Sequence, residues 1–112
     1  MRTPRPLIRA ALVAFAVTGS LSAWADCVLP PPPSKVPDAN AATEQEMMSA
    51  MQTLKQYDGD VNVYLKCLEF EERQHRLTPN IRDAKHNDAV SALEKVAAKF
   101  NEQVRLFKAK HG

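Results

Sequence analysis

The sequence predicts an all-α protein, an antiparallel two-helix hairpin of the coiled-coil type with an extended proline-rich arm on its N-terminal side. Three observations lead to this prediction. Apolar residues recur at three- and four-residue steps over two long stretches. Four consecutive prolines, which exclude helix, precede the first stretch. The chain also contains only two cysteines, Cys27 and Cys67, and we expect a disulfide between them to fasten the arm.

Residues 1–25 have the layout of a secretory signal peptide. Three arginines precede a short apolar run, and the tripeptide AWA at residues 23–25 supplies a small-x-small cleavage pattern. Residues 10–25 are too few and too polar to span a bilayer, which needs about 20 apolar residues. We therefore expect cleavage before Asp26, export to the periplasm, and a mature chain without an integral membrane span.

Removal of the signal peptide changes the charge of the protein. The full chain has a formal net charge of +2. Because all 13 acidic residues and 12 of the 15 Lys and Arg residues follow residue 25, the mature chain has a formal charge of −1. Proteins that bind nucleic acid or anionic membranes carry a positive excess or a basic stripe. We therefore expect neither as a partner.

Cys27 could be a lipid anchor, a metal ligand, a nucleophile or one half of a disulfide. A lipoprotein cysteine is the first mature residue, and the preceding Asp26 argues against that role. Neither cysteine has the closely spaced Cys or His residues of a metal site, or an evident catalytic partner. An even cysteine count in an exported chain favours the disulfide. Residues 28–42 would reach about 46 Å when extended, enough to return along about 36 Å of helix to Cys67.

The arm is predicted to occupy residues 26–42, and a capping signal marks where the first helix begins. Thr43 followed by Glu46 fits a capping box, in which each side chain bonds the other residue's backbone amide. Gly59 interrupts the helix pattern but leaves the phase of its apolar residues unchanged. We therefore expect one continuous helix over about residues 44–76.

A second start signal follows directly, because Thr78 precedes a proline that suits the first helical position. We expect the second helix over about residues 79–109, which makes residues 43–112 an antiparallel hairpin. Two helices bury little surface, so the arm should cover one side of their seam, or two hairpins should pair as a four-helix bundle. The arm residues expected to cover the seam are Val28, Leu29, Pro32 and Val36.

Two segments, EMMSAMQTLKQYDGDVNVYLKCLE and HNDAVSALEKVAAKFNEQVRLFKAK, together with the Cys-Pro-rich arm, resemble a group of small exported proteobacterial helical proteins of unknown function. Those proteins share the arm, an EM…YLxCL segment and a terminal FNxxVRxFK segment. The resemblance covers nearly the whole mature chain. It implies a periplasmic location and the Cys27–Cys67 pairing, and it implies no activity.

Two clusters could hold a metal ion. Glu72 and His75 have the Glu-x-x-His spacing that places two ligands on one helical face, and Asp83 and His86 repeat the theme on the second helix. A hairpin would bring these four residues near each other as a site for a divalent cation, although the surrounding arginines favour a solvated, salt-bridged hairpin end.

The second cluster is methionine-rich and comprises Met47, Met48 and Met51. Methionines bind soft metals or varied apolar partners, although their spacing here also suits core packing. The sequence has no motif for a cofactor and no evident catalytic set, so we expect a non-enzymatic protein. The favoured function is an adaptor or subunit of a cell-envelope assembly that acts by protein–protein contact, with a protein partner or a second copy in a homodimer. The alternative is a small periplasmic metal or ligand carrier that uses the methionines or the His75 and His86 end.

Overall fold

The computed structural model describes Pro4 and residues 27–112. These residues contain two α-helices and no strand: α1 spans Glu44–Arg73 and α2 spans Pro79–His111. The all-α prediction is confirmed for this part of the chain. The predicted signal peptide and its cleavage before Asp26 lie outside the described residues.

The first turn of α1 has the predicted capping box. The Thr43 hydroxyl accepts the Glu46 N–H at 3.1 Å, and the Glu46 carboxylate accepts the Thr43 N–H at 2.8 Å. These two bonds satisfy amides that a helix start otherwise leaves unpaired. Gly59 lies inside α1 without a positive φ, so the helix is continuous through it, as expected.

The end of α1 differs from the prediction, since the helix stops at Arg73 rather than at residue 76. His75 adopts a left-handed φ of 58°. Its N–H donates to the Glu72 carbonyl at 2.9 Å, and the Arg76 N–H donates to the Glu71 carbonyl at 2.9 Å. These crossed bonds form a Schellman motif, which usually has glycine at the left-handed position. Without a glycine, the sequence carries no visible stop signal there.

A capping hydroxyl and a proline begin α2, as predicted. The Thr78 hydroxyl accepts the Ile81 N–H at 3.3 Å, and Pro79 occupies the first turn, where its missing N–H costs no hydrogen bond. The helix continues to His111, slightly beyond the predicted end near residue 109. In the described part of the chain, no helix is both long and apolar enough to cross a bilayer.

The two helices pack against each other, and their contacts fit a helical hairpin. Beside the connection, Glu72 of α1 forms a salt bridge with Arg82 of α2. At the other end, Ala39, just before α1, bonds to Gln103 late in α2. The core lies between these contacts. Its central cluster consists of the buried residues Tyr57, Val61, Tyr64, Leu68 and Ala89, with Cys27, Leu54, Leu65, Leu77, Leu93 and Val96 packed against them. Ala39, Met47 and Phe100 are buried outside this cluster.

Candidate functional site

The predicted disulfide is present between Cys27 and Cys67, whose Cα atoms are 5.7 Å apart. Cys67 lies in α1 beside Leu68, and Cys27 packs against the core at the start of the arm. Both cysteines are half-buried, and residues 27–112 contain no free cysteine. The bond therefore ties the start of the arm to the last third of α1, 40 residues later in the sequence.

Between the disulfide and α1, every third residue of the arm is withdrawn from solvent. A repeat of three residues per turn is the period of a polyproline II helix, the extended conformation that consecutive prolines favour. One face of the arm therefore lies toward the helices and the other two face solvent. The withdrawn residues on this repeat are Cys27, Pro30, Pro33, Val36, Ala39 and Ala42, of which Ala39 is fully buried. Pro37, beside Val36, is half-buried as well.

This period corrects the expectation about which arm residues cover the seam. Val28 is 80% exposed, and Leu29 and Pro32 are exposed as well. Only Val36 of the predicted set is half-buried. Apolar character alone does not determine which arm side chains face inward. The disulfide at Cys27 and the three-residue repeat determine it.

The C-terminal end of the arm is attached to α2 by two hydrogen bonds. The Ala39 N–H donates to Gln103 Oε1 at 2.9 Å, and Lys110 Nζ donates to the Asn40 carbonyl at 2.9 Å. The Asp38 carbonyl accepts the N–H groups of residues 41 and 42, which turns the chain into α1. The arm is thus attached to α1 at one end and to α2 at the other. No sequence signal marks Gln103 for this role.

Two exposed apolar side chains lie beside the disulfide. Val28 and Val63, the latter 68% exposed, line a surface groove of about 320 Å³ that also includes the disulfide. Phe70 follows Val63 by seven residues, or about two helical turns, and so lies on the same side of α1. We call these residues and Leu29, which follows Val28, the disulfide-end patch. The patch comprises Val28, Leu29, Val63 and Phe70, all of them exposed.

The three methionines predicted as a partner surface differ in their exposure to solvent. Met47 is buried, whereas Met48 is 60% exposed and Met51 is also exposed. Met47 therefore belongs to the packed interior, and only the other two methionines reach the surface. The described surface does not present the three thioethers together.

The four predicted metal ligands lie around the helix connection without forming a cation site. Because α1 ends at Arg73, Glu72 and His75 do not share a helical face. The guanidinium of Arg82 bonds both Glu72 at 2.7 Å and Asp83 at 3.0 Å, so a positive side chain already neutralises these carboxylates. No group of three or more His, Cys, Asp or Glu side chains in residues 27–112 is arranged to hold a metal ion. The predicted ligands are Glu72, His75, Asp83 and His86.

The ion pair between the buried Glu71 and the partly exposed Arg76 was not predicted from the sequence. Hydrogen bonds from Arg76, aided by its charge, hold the pKa of Glu71 below its usual range, although burial acts in the opposite direction. The Arg76 guanidinium also lies over the Phe70 ring, 5.6 Å from its centroid. A signal was available, because Glu71 follows Leu68 by three residues and so continues the apolar stripe of α1.

Two tyrosines lie beneath the arm. Tyr57 borders a groove with Pro31 and Pro33, and Tyr64 borders the groove at the disulfide. Burial raises the pKa of both phenols, and the nearby Asp88 carboxylate raises the pKa of Tyr64 further. The Tyr57 shift follows from burial, the Tyr64 shift follows from burial and the Asp88 charge, and the lowered pKa of Glu71 follows from its ion pair. The perturbed groups therefore have structural causes.

Comparison of the chain with protein-family models, curated proteins and solved structures finds no match. A proposal for its function therefore rests on the covalent structure and the surfaces described above. Of these, the disulfide-end patch departs from an ordinary solvated helix surface, because the exposed faces of such helices are normally polar.

Proposed function

We propose that this chain is an exported, non-enzymatic helical protein that acts by protein–protein contact, as an adaptor or subunit of a cell-envelope assembly. The observation that carries the proposal is the disulfide-end patch, with Val28 80% exposed and Val63 68% exposed beside a common groove. Apolar side chains that gather on a surface are typical of interaction sites.

The covalent structure favours binding at this patch. The disulfide holds Val28 in the groove that Val63 lines on α1. Side chains already held in place lose less conformational entropy when a partner binds. Phe70 adds an aromatic side chain, a type enriched at the energetic centres of interfaces.

Export is supported by the disulfide itself, since such bonds persist in oxidising compartments such as the periplasm. The arm then acts as a strap that reinforces a thin helical hairpin. Peptide mapping under non-reducing conditions should find Asp26 as the first residue and one peptide pair linked through Cys27 and Cys67. Free thiols in the exported form, or a link between two chains, would contradict this arrangement.

The contact proposal can be tested by photo-crosslinking in the cell. A photoreactive residue at Val63 or Phe70 should give a discrete adduct, whereas the same residue at Ala98, an exposed position of α2, should give none. The double substitution V63E/F70E, probed from Leu29, should abolish the adduct. An adduct of twice the chain mass would identify a second copy as the partner.

Two results would contradict the contact proposal. One is a set of adducts that is equally abundant from Ala98 and from the patch. The other is stoichiometric copper or zinc in the purified protein that is lost when Met48 and Met51 are replaced by leucine, or when His75 and His86 are replaced by alanine. That second result would favour the carrier function.

A further inference from the structure

We propose that the Cys27–Cys67 disulfide is a reversible fastener: reduction by a dithiol frees residues 27–37 as a flap attached at Asp38, while α1 and α2 remain packed. The proposal concerns the response of the protein to reductant. It does not depend on the partner contact proposed above.

A reductant can reach the disulfide. Both cysteines are half-buried rather than enclosed, and they line the open surface groove of about 320 Å³. Its rim carries the exposed side chains of Val28 and Val63. Thiol–disulfide exchange requires that a thiolate approach one sulfur from outside, and this groove offers that approach.

Once the disulfide opens, no directional bond holds the first part of the arm. Within the described contacts, residues 28–37 form no hydrogen bond with either helix. The residues of this segment that are withdrawn from solvent are Pro30, Pro33, Val36 and Pro37, each only half-buried. Since extended prolines have no internal hydrogen bonds, the arm has no secondary structure of its own to preserve its position.

The other end of the arm is held independently of the disulfide. Gln103 accepts the Ala39 N–H, Lys110 bonds the Asn40 carbonyl, and Ala39 is fully buried. These contacts join the arm to α2 and lie at the opposite end from Cys67. Residues 27–37 should therefore move while residues 39–42 stay in place.

The helix pair can remain folded because the central buried cluster contains only helix residues, and of residues 27–37 only the half-buried Cys27 packs against it. The buried cluster joins Tyr57, Val61, Tyr64 and Leu68 of α1 directly to Ala89 of α2. Departure of the arm would uncover the outer edges of Tyr57 and Tyr64, which line the grooves beneath it. Reduction would thus create a new aromatic surface on α1.

The exchange balances as an ordinary two-electron reaction. A thiolate of the dithiol reductant attacks one sulfur of the Cys27–Cys67 bond, which breaks as a mixed disulfide forms. The second thiol of the reductant then displaces the remaining cysteine. The reductant leaves as a disulfide, and its two protons are taken up by Cys27 and Cys67 as thiols.

Backbone relaxation measured by NMR with and without dithiothreitol tests the proposal. In the reduced protein, the heteronuclear NOE of the arm amides should fall to values typical of a flexible chain, while residues 39–42 and both helices keep their rigid values. The amides to follow are those of Val28, Leu29, Ser34, Lys35 and Val36. An arm that stays rigid after reduction, or helices that unfold with it, would overturn the proposal.

A second readout uses the tyrosines, since Tyr57 and Tyr64 are the only two in the chain. Burial raises both phenol pKa values in the fastened protein, so release of the arm should shift phenolate absorbance to lower pH. The C27S/C67S variant should show the released behaviour without reductant and no response to it. Q103E, which keeps an acceptor for Ala39, should respond to dithiothreitol as the natural chain does. An unchanged tyrosine titration after reduction would contradict the release.

Discussion

The carboxylate of Glu71 accepts two hydrogen bonds from the guanidinium of Arg76, at 2.6 and 3.0 Å, while the Glu71 side chain is only 3% exposed. The backbone carbonyl of Glu71 also accepts the N–H groups of Arg76 and Leu77. Glu71 thus bonds both the side chain of Arg76 and the backbone of residues 76 and 77, which follow the end of α1. The stability of the connection should therefore depend on the charge of Glu71.

The pH dependence of unfolding should report this ion pair. Arg76 holds the pKa of Glu71 below its usual value, so the pair stabilises the fold above the unfolded carboxyl pKa, about 4.3. That stabilisation is lost as the pH falls through the lower folded pKa. We expect the Tm of the natural chain, followed by circular dichroism, to fall more steeply below about pH 5 than that of Glu71→Gln. At neutral pH, Glu71→Gln should have the lower Tm.

The matched control is Glu72→Gln, whose carboxylate pairs with Arg82 at a partly exposed site. Exposed pairs contribute little, so this variant should keep a pH profile close to that of the natural chain. Parallel profiles for the natural chain and Glu71→Gln would show that the Glu71–Arg76 pair does not govern acid stability.

Substitution of His75 by glycine should stabilise the protein. His75 has a φ of 58°, a conformation that costs an L-residue about 1 kcal/mol and costs glycine almost nothing. Urea denaturation of His75→Gly should therefore give a free energy of unfolding about 1 kcal/mol higher. Gln74→Gly is the control, because Gln74 has an ordinary φ of −84°. Equal gains from both substitutions would argue against relief of backbone strain.

Loss of the acceptor at Gln103 should weaken the attachment of the arm to α2. Gln103→Leu leaves the Ala39 N–H without its 2.9 Å partner, and a buried donor left unpaired costs about 1–3 kcal/mol. Gln103→Glu retains an acceptor oxygen and should remain close to the natural chain in urea denaturation. If the leucine and glutamate variants are equally stable, this hydrogen bond does not hold the arm.

Gly59→Ala should stabilise α1 by about 1 kcal/mol, the difference in helix propensity between these residues. Gly59 is exposed within the helix, its φ is not positive, and a Cβ added there meets no heavy atom within 4 Å. Gly59→Pro should lower stability by about 3 kcal/mol or more. Thermal unfolding of the three proteins provides the comparison, and a Tm for Gly59→Ala at or below that of Gly59 would disprove continuous helix at this position.

Local chemistry made the helix starts and the disulfide predictable. Thr43 with Glu46, and Thr78 with Pro79, satisfy or remove amides within a few residues of themselves, so no distant contact is needed to place them. With only two cysteines in the chain, an intrachain disulfide has one possible pairing. The apolar residues of α1 keep the same helical phase before and after Gly59, and this pattern predicted a continuous helix.

The end of α1 could not be found in this way. His75 adopts a conformation that glycine usually supplies, and the surrounding bonds of Glu71 and Arg76 maintain it. Because α1 ends at Arg73, His75 lies outside the helix. The Glu-x-x-His spacing of Glu72 and His75 therefore does not place them on one helical face. The charged residues at this end of the hairpin were expected to be solvated, but they include the buried carboxylate of Glu71.

The order of residues alone therefore sets where each helix begins and which cysteines pair, because each of these follows from contacts within a few residues or from a unique pairing. The three-dimensional packing sets which side of the arm faces inward. The disulfide holds Cys27, and a hydrogen bond to Gln103 holds Ala39. The three-residue repeat of the arm between them directs Pro30, Pro33 and Val36 toward the helices. Val28 is exposed although it is apolar, because it lies one residue after Cys27 and so faces away from the helices.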